Sequence, residues 1–439
     1  MTSNRRSFIR TLGILAGTAG ITTFANEAWA ASIQDALARV VNKDPLDLAS
    51  DEDFWAVIQQ AYTVSPGIIN LNNGGVSPQP KLVQDALDRY NRMCNEGPSY
   101  FMWQILDQGR EPLRERLAHL AGAEMDEIAI NRNATEALNT IIFGLNLKAG
   151  DEVVLSKQDY PNMINAWKQR EQRDGIKLVW LDFEYPIENS QVIADRYTGA
   201  FTSKTKVVHI THMVNWVGQI LPVAMIAKVA RAKNIDVLVD GAHSFGLLDF
   251  KIPDLQADYF GTSLHKFLSA PFGSGMLYIR KEKIKDVWPL LCNDKPQGSD
   301  IRKFETLGTR SFPIEQAIGE ALSFHNNIGS KRKEERIRYL KNYWAEQAAK
   351  IPGVKIHTSL KPEFSCAICG VSVDGVEPAE LEKELFLKYK IHTVGIVWER
   401  LKLVRVTPHV YTKIEDLDKL VFALKEIAAK TSAKAEKTE

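Results

Sequence analysis

The sequence predicts an α/β protein with a mainly parallel seven-stranded sheet, followed by a smaller α+β unit. Three observations carry this. Short apolar runs alternate with amphipathic helical stretches between residues 127 and 279, the pattern of a sheet covered on both faces. Near residue 312 the pattern changes to long helices and then to mixed elements. The composition, 45% hydrophobic and 25% charged over 439 residues, is that of a globular chain long enough for two or three domains.

Taken in order, residues 1–30 read as an export signal. Arg5 and Arg6 are followed by Phe8, a run rich in Gly, Ala and Thr, and then Ala28-Trp29-Ala30. These are a charged start, an apolar middle and a small-residue cleavage site. The paired arginines resemble a twin-arginine signal, with Asn4 where Ser is more usual, and imply a periplasmic or exported protein that folds before transport. Residues 31–69 form a helical arm with Phe54, Trp55, Val57 and Ile58 as its apolar anchor. The large domain follows over 70–314. Its predicted strands are Glu127–Ile130, Glu152–Leu155, Lys177–Leu181, Lys206–Ile210, Asp236–Val239, Asp258–Gly261 and Gly275–Ile279, with helices at Ala134–Leu145 and Pro222–Lys233 between them. The smaller domain spans 315–430 and opens on a helix ending at Ile328. The run Lys331-Arg-Lys-Glu-Glu-Arg336 interleaves both signs and is expected to be a solvated helix face. Residues 431–439 read as a disordered polar tail.

Fifty-five Lys and Arg balance fifty-four Asp and Glu, so bulk charge gives no basis for a nucleic-acid or anionic-membrane partner. Beyond the N-terminal signal no run is long and apolar enough to cross a bilayer. Four cysteines, Cys94, Cys292, Cys366 and Cys369, are too few for a disulfide framework. Cys366 and Cys369 have C-x-x-C spacing but fall in Phe364–Val373, which reads as a strand. Three extended steps separate their α-carbons by roughly 10 Å, so they are expected to be core residues with neither a redox nor a metal role.

The chemistry-bearing segment is Asp258-Tyr-Phe-Gly-Thr-Ser-Leu-His-Lys-Phe-Leu-Ser-Ala-Pro-Phe-Gly-Ser-Gly275, where a strand runs into a Ser/His/Lys cluster and a glycine-rich turn. An amine held in a semi-buried site loses proton affinity and becomes nucleophilic, which marks Lys266. Asp240 ends an apolar strand, at the sheet edge where α/β folds place ligands. Asn133-Ala-Thr135 opens a helix directly after a strand, a ready anion cradle. A lysine, a carboxylate and a phosphate cradle in one α/β domain suggest pyridoxal phosphate.

These segments, in this order, resemble the class V aminotransferase family of fold-type I pyridoxal phosphate enzymes, most of all its isopenicillin N epimerase-like branch. The resemblance runs from about Leu71 to Ala423. It implies that Lys266 is the Schiff-base lysine, that Asp240 partners the pyridine nitrogen, and that Ala134, Thr135, Ser263 and His265 hold the phosphate. It places Asn215 and His243 near the cofactor's 3′-oxygen and Tyr160 on the ring face. Thr309 would reach the phosphate from the neighbouring subunit of a homodimer with shared sites. Arg405 would pair with the substrate carboxylate, with Arg310 or Arg400 as competitors, and Leu71-Asn-Asn-Gly-Gly75 would line the substrate side. The stretch His392–Lys402 carries no cysteine where cysteine desulfurases have a reactive one, so the sequence is read as excluding desulfurase chemistry. What remains is transamination first, then epimerisation, then β-elimination, with a turnover-free binding protein as the non-enzyme alternative. Exported relatives that tailor peptide side chains make a small-molecule or peptide-linked amino acid the expected substrate.

Overall fold

Seven strands of four to seven residues build the central sheet of this computed structural model, which describes residues 32–435. The export signal expected over residues 1–30 lies outside the described residues, as do 436–439. After a two-residue strand β1 (Ile69–Asn70) come β2 (Ile128–Asn131), β3 (Glu152–Ser156), β4 (Lys177–Leu181), β5 (Thr205–Thr211), β6 (Asp236–Asp240), β7 (Tyr259–Ser263) and β8 (Gly275–Ile279). The sheet order is β2-β8-β7-β6-β5-β3-β4. β3 to β7 pair in parallel, whereas β8 runs antiparallel to both β7 and β2. No crossover helix separates β7 from β8, so the chain returns in the opposite direction.

Successive residues of the inner strands feed opposite cores. Val154, Val208 and Val239 join one apolar cluster, while Val153, Leu155, Val207 and Leu238 join the other. Each such side chain contributes about 1.5–3 kcal/mol on burial, which is why these strands read as nearly continuous apolar runs. Helices Ala134–Gly144, Pro161–Asp174 and Val223–Ala232 cover the faces, the last capped by Pro222.

The C-terminal third carries β9 (Val354–Ile356), β10 (Cys369–Val373), β11 (Ile391–His392), β12 (Val394–Trp398) and β13 (Leu401–Val406). Four of these form an antiparallel sheet in the order β12-β13-β10-β9, and β11 pairs in parallel with β1. Phe54, Trp55 and Ile58 of the arm are buried in a cluster with Phe267 and Ile337, so the arm closes over both parts of the chain.

Three expectations change. The run Lys331–Arg336 is not a solvated face: Lys333, Glu334, Glu335 and Arg336 are buried in helix Ser330–Ala348. Ion pairs replace water there, because the helix lies under the arm. Arg336 pairs with Glu52 at 2.5 Å and donates to the Ala49 carbonyl at 2.9 Å, and Arg338 pairs with Glu335 at 2.9 Å. Interleaved signs at helical spacing fit a buried network as well as a wet surface. Second, the tail does not begin at 431. Helix Ile414–Ala435 runs on, and the Thr431 and Ser432 hydroxyls donate to the Ile427 and Ala428 carbonyls at 2.9 and 3.1 Å. Third, β10 starts only at Cys369, so Cys366 precedes it. Both cysteines are buried and free, and burial pushes their thiols up to about 12 and about 11.

Candidate active site

The C-terminal ends of β5, β6 and β7 open onto a cavity of ≈ 270 Å³. In register across these strands lie Thr211, Asp240 and Gly261. Asp240 is buried, and its Oδ1 accepts the Ala242 N–H at 2.9 Å. Burial raises its proton affinity, against which the Ala242 N–H and the Lys266 amine act. Lys266, in the turn after β7, lies with its Nζ 3.0 Å from His243 Nε2, and the same ring nitrogen is 2.9 Å from the Gly74 carbonyl. Burial lowers the Lys266 amine to about 8, with Arg405 adding to the effect and Asp240 opposing it. The His243 imidazole is held well below its ordinary value by burial and by those two cations, and is neutral.

The anion cradle is the start of helix Ala134–Gly144. Asn133 caps it, accepting the Glu136 N–H at 2.9 Å, and the Ala134 N–H donates to Ser263 Oγ at 2.9 Å. The Thr135 N–H takes part in neither bond. Gly275 makes the close approach feasible, since a Cβ there would sit 2.5 Å from the Asn133 backbone nitrogen. His265 lines the same end, with Nδ1 3.1 Å from the Ser274 carbonyl.

Opposite, the small sheet supplies Arg405 from β13. Its guanidinium is buried, donates to the Asn215 carbonyl and to Asn72 Oδ1 at 3.0 Å each, and its Nε has no partner among the described residues. Burial lowers it to about 10. Asn215 Oδ1 is likewise buried without a partner, as in a site that a polar ligand completes. Tyr160, 38% exposed, stands at the mouth as the cap of helix Pro161–Asp174.

The structure therefore brings Ala134, Thr135, Tyr160, Asn215, Asp240, His243, Ser263, His265, Lys266 and Arg405 to one cavity. It does not bring Thr309, which is exposed in the turn 306–311, to this chain's own cavity. Nor does it bring the competing arginines. Arg310 pairs with Asp107 and Glu315, and Arg400 is exposed beside Asp182 and Glu184.

Sequence reasoning missed Asp159. It is buried, accepts the Ser156 N–H and the Thr211 hydroxyl at 2.7 Å each, and is pushed up to about 7 by burial, with Asp240 adding to the rise. A carboxylate just past the apolar strand β3 is the signal that marked Asp240, and it applies equally here.

The aminotransferase class-V family model matches residues 69–420. The chain belongs to that family. Its cofactor is pyridoxal phosphate, and the site fits this group: a helix start whose Thr135 N–H lies outside the cap bonds for the phosphate, a buried carboxylate, an Asn215 Oδ1 with no partner among the described residues and a neutralisable lysine. Isopenicillin N epimerase of Streptomyces clavuligerus is 27% identical over 84% of this chain and 97% of its own length. The enzyme of the same name from Amycolatopsis lactamdurans is 28% identical over 85% and 98%. A probable cysteine desulfurase of Halalkalibacterium halodurans is 26% identical over 74% and 82%. Among solved structures, a C-DES variant with glycine covalently linked to the PLP cofactor has a TM-score of 0.75 at 21% identity, covering 84% of this class-V chain and 98% of its own. The cysteine desulfurase CsdA of Escherichia coli has the same TM-score and identity over 86% and 98%.

These relatives overturn the exclusion of desulfurases. That exclusion rested on a missing cysteine between His392 and Lys402, whereas whole-chain likeness extends to probable cysteine desulfurases. The region is an ordered hairpin of β12 and β13. Trp398 in it stacks on Trp216 at 5.5 Å and donates to the Lys157 carbonyl at 2.8 Å. The lack of a cysteine in this hairpin therefore does not set the chain apart from its desulfurase relatives.

Proposed function

We propose that this class-V enzyme removes the Cα proton of an amino acid, free or peptide-linked, and that the outcome is transamination. The observation that carries the reading is Lys266, an amine lowered to about 8 that shares one cavity with Asp240 and Arg405. Pyridoxal phosphate, when bound, supplies a ring that accepts the electron pair left at Cα. The Ala134–Thr135 helix start, Ser263 and His265 would hold its phosphate, and Asn215 with His243 would sit beside its ring oxygen. Asp240, the buried carboxylate at the end of β6, would stabilise a proton on the ring nitrogen through its negative charge. Arg405 grips the substrate carboxylate through two N–H groups and is itself oriented by Asn72 and the Asn215 carbonyl. Tyr160 covers the mouth and excludes water. Lys266 Nζ, in the same cavity, would take the Cα proton. A pKa close to working pH lets the same amine give it back, which suits a proton shift along one face.

Epimerisation is the second reading, favoured by the two isopenicillin N epimerases matched over 97% and 98% of their lengths. Incubation with D- and L-amino acids, cysteine and short peptides in deuterated water separates the outcomes. Ketoacid plus aminated cofactor supports transamination. Cα deuterium with inverted configuration replaces it with epimerisation, and release of sulfur from cysteine replaces it with C–S cleavage. No exchange at Cα with any substrate overturns the reading, as does a protein that stays colourless with added pyridoxal phosphate.

We further propose that two copies share their sites. Tyr100, Trp103, Phe272 and Trp288 are exposed at 59%, 42%, 53% and 46%, and Trp103 packs edge-on to Phe312, three residues past the exposed Thr309. Thr309 would then reach the partner's phosphate, and sedimentation tests the pairing. Export by the twin-arginine route completes the proposal, and fractionation of cells expressing the full chain tests it.

A further inference from the structure

Lys333 lies in the run expected to be solvated, yet it is 3% exposed and forms no ion pair among the described residues. Its Nζ donates to the Phe267 carbonyl and lies 3.4 Å from His325 Nδ1. Phe267 is the residue after Lys266. The peptide group that Lys333 holds is therefore one step along the chain from the amine that faces the cavity.

The turn concerned needs holding. Ser269 has φ +58, a left-handed conformation that costs a non-glycine residue about 1 kcal/mol or more. Its N–H donates to the Lys266 carbonyl at 3.0 Å, and the Ala270 N–H donates to the Leu264 carbonyl at 3.0 Å. Outside groups hold this turn from two directions: from the N-terminal part the Ser77 N–H donates to the His265 carbonyl at 3.1 Å and Tyr62 bonds to Ser269, and from the C-terminal third come Lys333 and His409. Lys333 comes from helix Ser330–Ala348. His409, three residues beyond β13, lays its ring parallel to Phe267 at 6.0 Å and 6°, with Nε2 3.4 Å from Ser269 Oγ. Burying an amine with no carboxylate costs stability that an apolar residue of similar volume would not. The chain retains that cost at a point one residue from Lys266.

We propose that Lys333 and His409 form a clamp from the C-terminal third that positions the turn carrying Lys266, with Lys333 as its principal positioning residue. The clamp fixes the Phe267 peptide plane and keeps Ser269 left-handed, which aims Lys266 Nζ between His243 and Asp240. The proposal rests on the reading of Lys266 as the cofactor-bearing lysine only for its spectroscopic test.

The experiment compares wild type, Lys333→Met and Lys333→Arg as cofactor-loaded proteins. In Lys333→Met, hydrogen exchange at the Ser269 and Ala270 amides rises tenfold or more, while amides of β5 and β6 keep their wild-type rates. The pH midpoint at which the lysine-bound cofactor's visible absorbance titrates shifts by about half a unit or more, a roughly threefold or larger change in the proton equilibrium. kcat falls about tenfold with KM within twofold, and Lys333→Arg, which keeps a donor, recovers part of each loss. Wild-type exchange at Ser269 and Ala270 in a folded Lys333→Met protein overturns the clamp even when cofactor binding is intact. Should Lys333→Met not fold, His409→Leu carries the test: the same two amides must lose protection, and unchanged rates overturn the proposal. A colourless wild type overturns the assigned function and leaves the exchange measurement standing.

Discussion

Two amines, Lys266 half-buried and Lys333 buried, sit on either side of one turn and meet different surroundings. Lys266 opens on a cavity and has the Asp240 carboxylate to oppose its loss of proton affinity. Lys333 is sealed among Phe267, His325 and His409 with no ion pair to a carboxylate among the described residues, and burial alone lowers it to about 7. Burial makes an amine neutral near physiological pH, but access decides whether that neutrality serves reaction or architecture. A lowered proton affinity on its own therefore does not identify a catalytic lysine.

The strongest way to break this comparison is to remove each amine. Lys266→Ala should lower turnover by about a thousandfold or more and abolish borohydride trapping of the cofactor on the chain. A Lys266→Ala protein that still traps would reassign the attachment to another lysine. Next in size, Arg405→Ala should raise KM about a hundredfold through loss of a buried charged contact. Cofactor affinity, read by absorbance titration, should move much less, and equal effects would take the carboxylate role away from Arg405.

A smaller effect sharpens the comparison by pH. Both amines bind protons more weakly folded than unfolded, so unfolding takes up protons and stability of the cofactor-free protein rises with pH. For Lys333 the rise runs from about 7 to the ordinary value of 10.5, and for Lys266 from about 8 to 10.5. Urea midpoints between pH 6.5 and 9.5 should therefore climb in wild type. The climb should flatten in Lys333→Met, beginning about one unit lower than the flattening caused by Lys266→Met. An unchanged slope in Lys333→Met would mean that its amine stays charged in the fold. Smallest of all, Arg400→Ala should leave KM and the urea midpoint at wild-type values, because Arg400 is exposed and outside the cavity. A raised KM would make it a substrate contact.

The seven strands of the large sheet were legible because each is apolar on both faces. Lys266, Asp240 and the Asn133-capped helix were legible because they follow such strands directly. Asp159 obeys the same rule at a longer spacing, three residues past the end of β3. The charged run was not legible. Whether alternating charges meet water or one another depends on what packs above the helix, here an arm nearly three hundred residues away in sequence. Sequence spacing also could not show that Arg310 and Arg400 spend their charge on Asp107, Glu315 and Glu184, leaving Arg405 to face the cavity.

The Trp216–Trp398 stack joins the residue after Asn215 to the hairpin above the site, with its indoles 5.5 Å apart and 20° from parallel. Two chromophores so close, one next to Asn215 and one in the hairpin that carries Arg405, make an optical gauge of the enzyme's own. Any motion of the hairpin that parts them changes tryptophan emission, so a displacement of the hairpin can be followed without attaching a label.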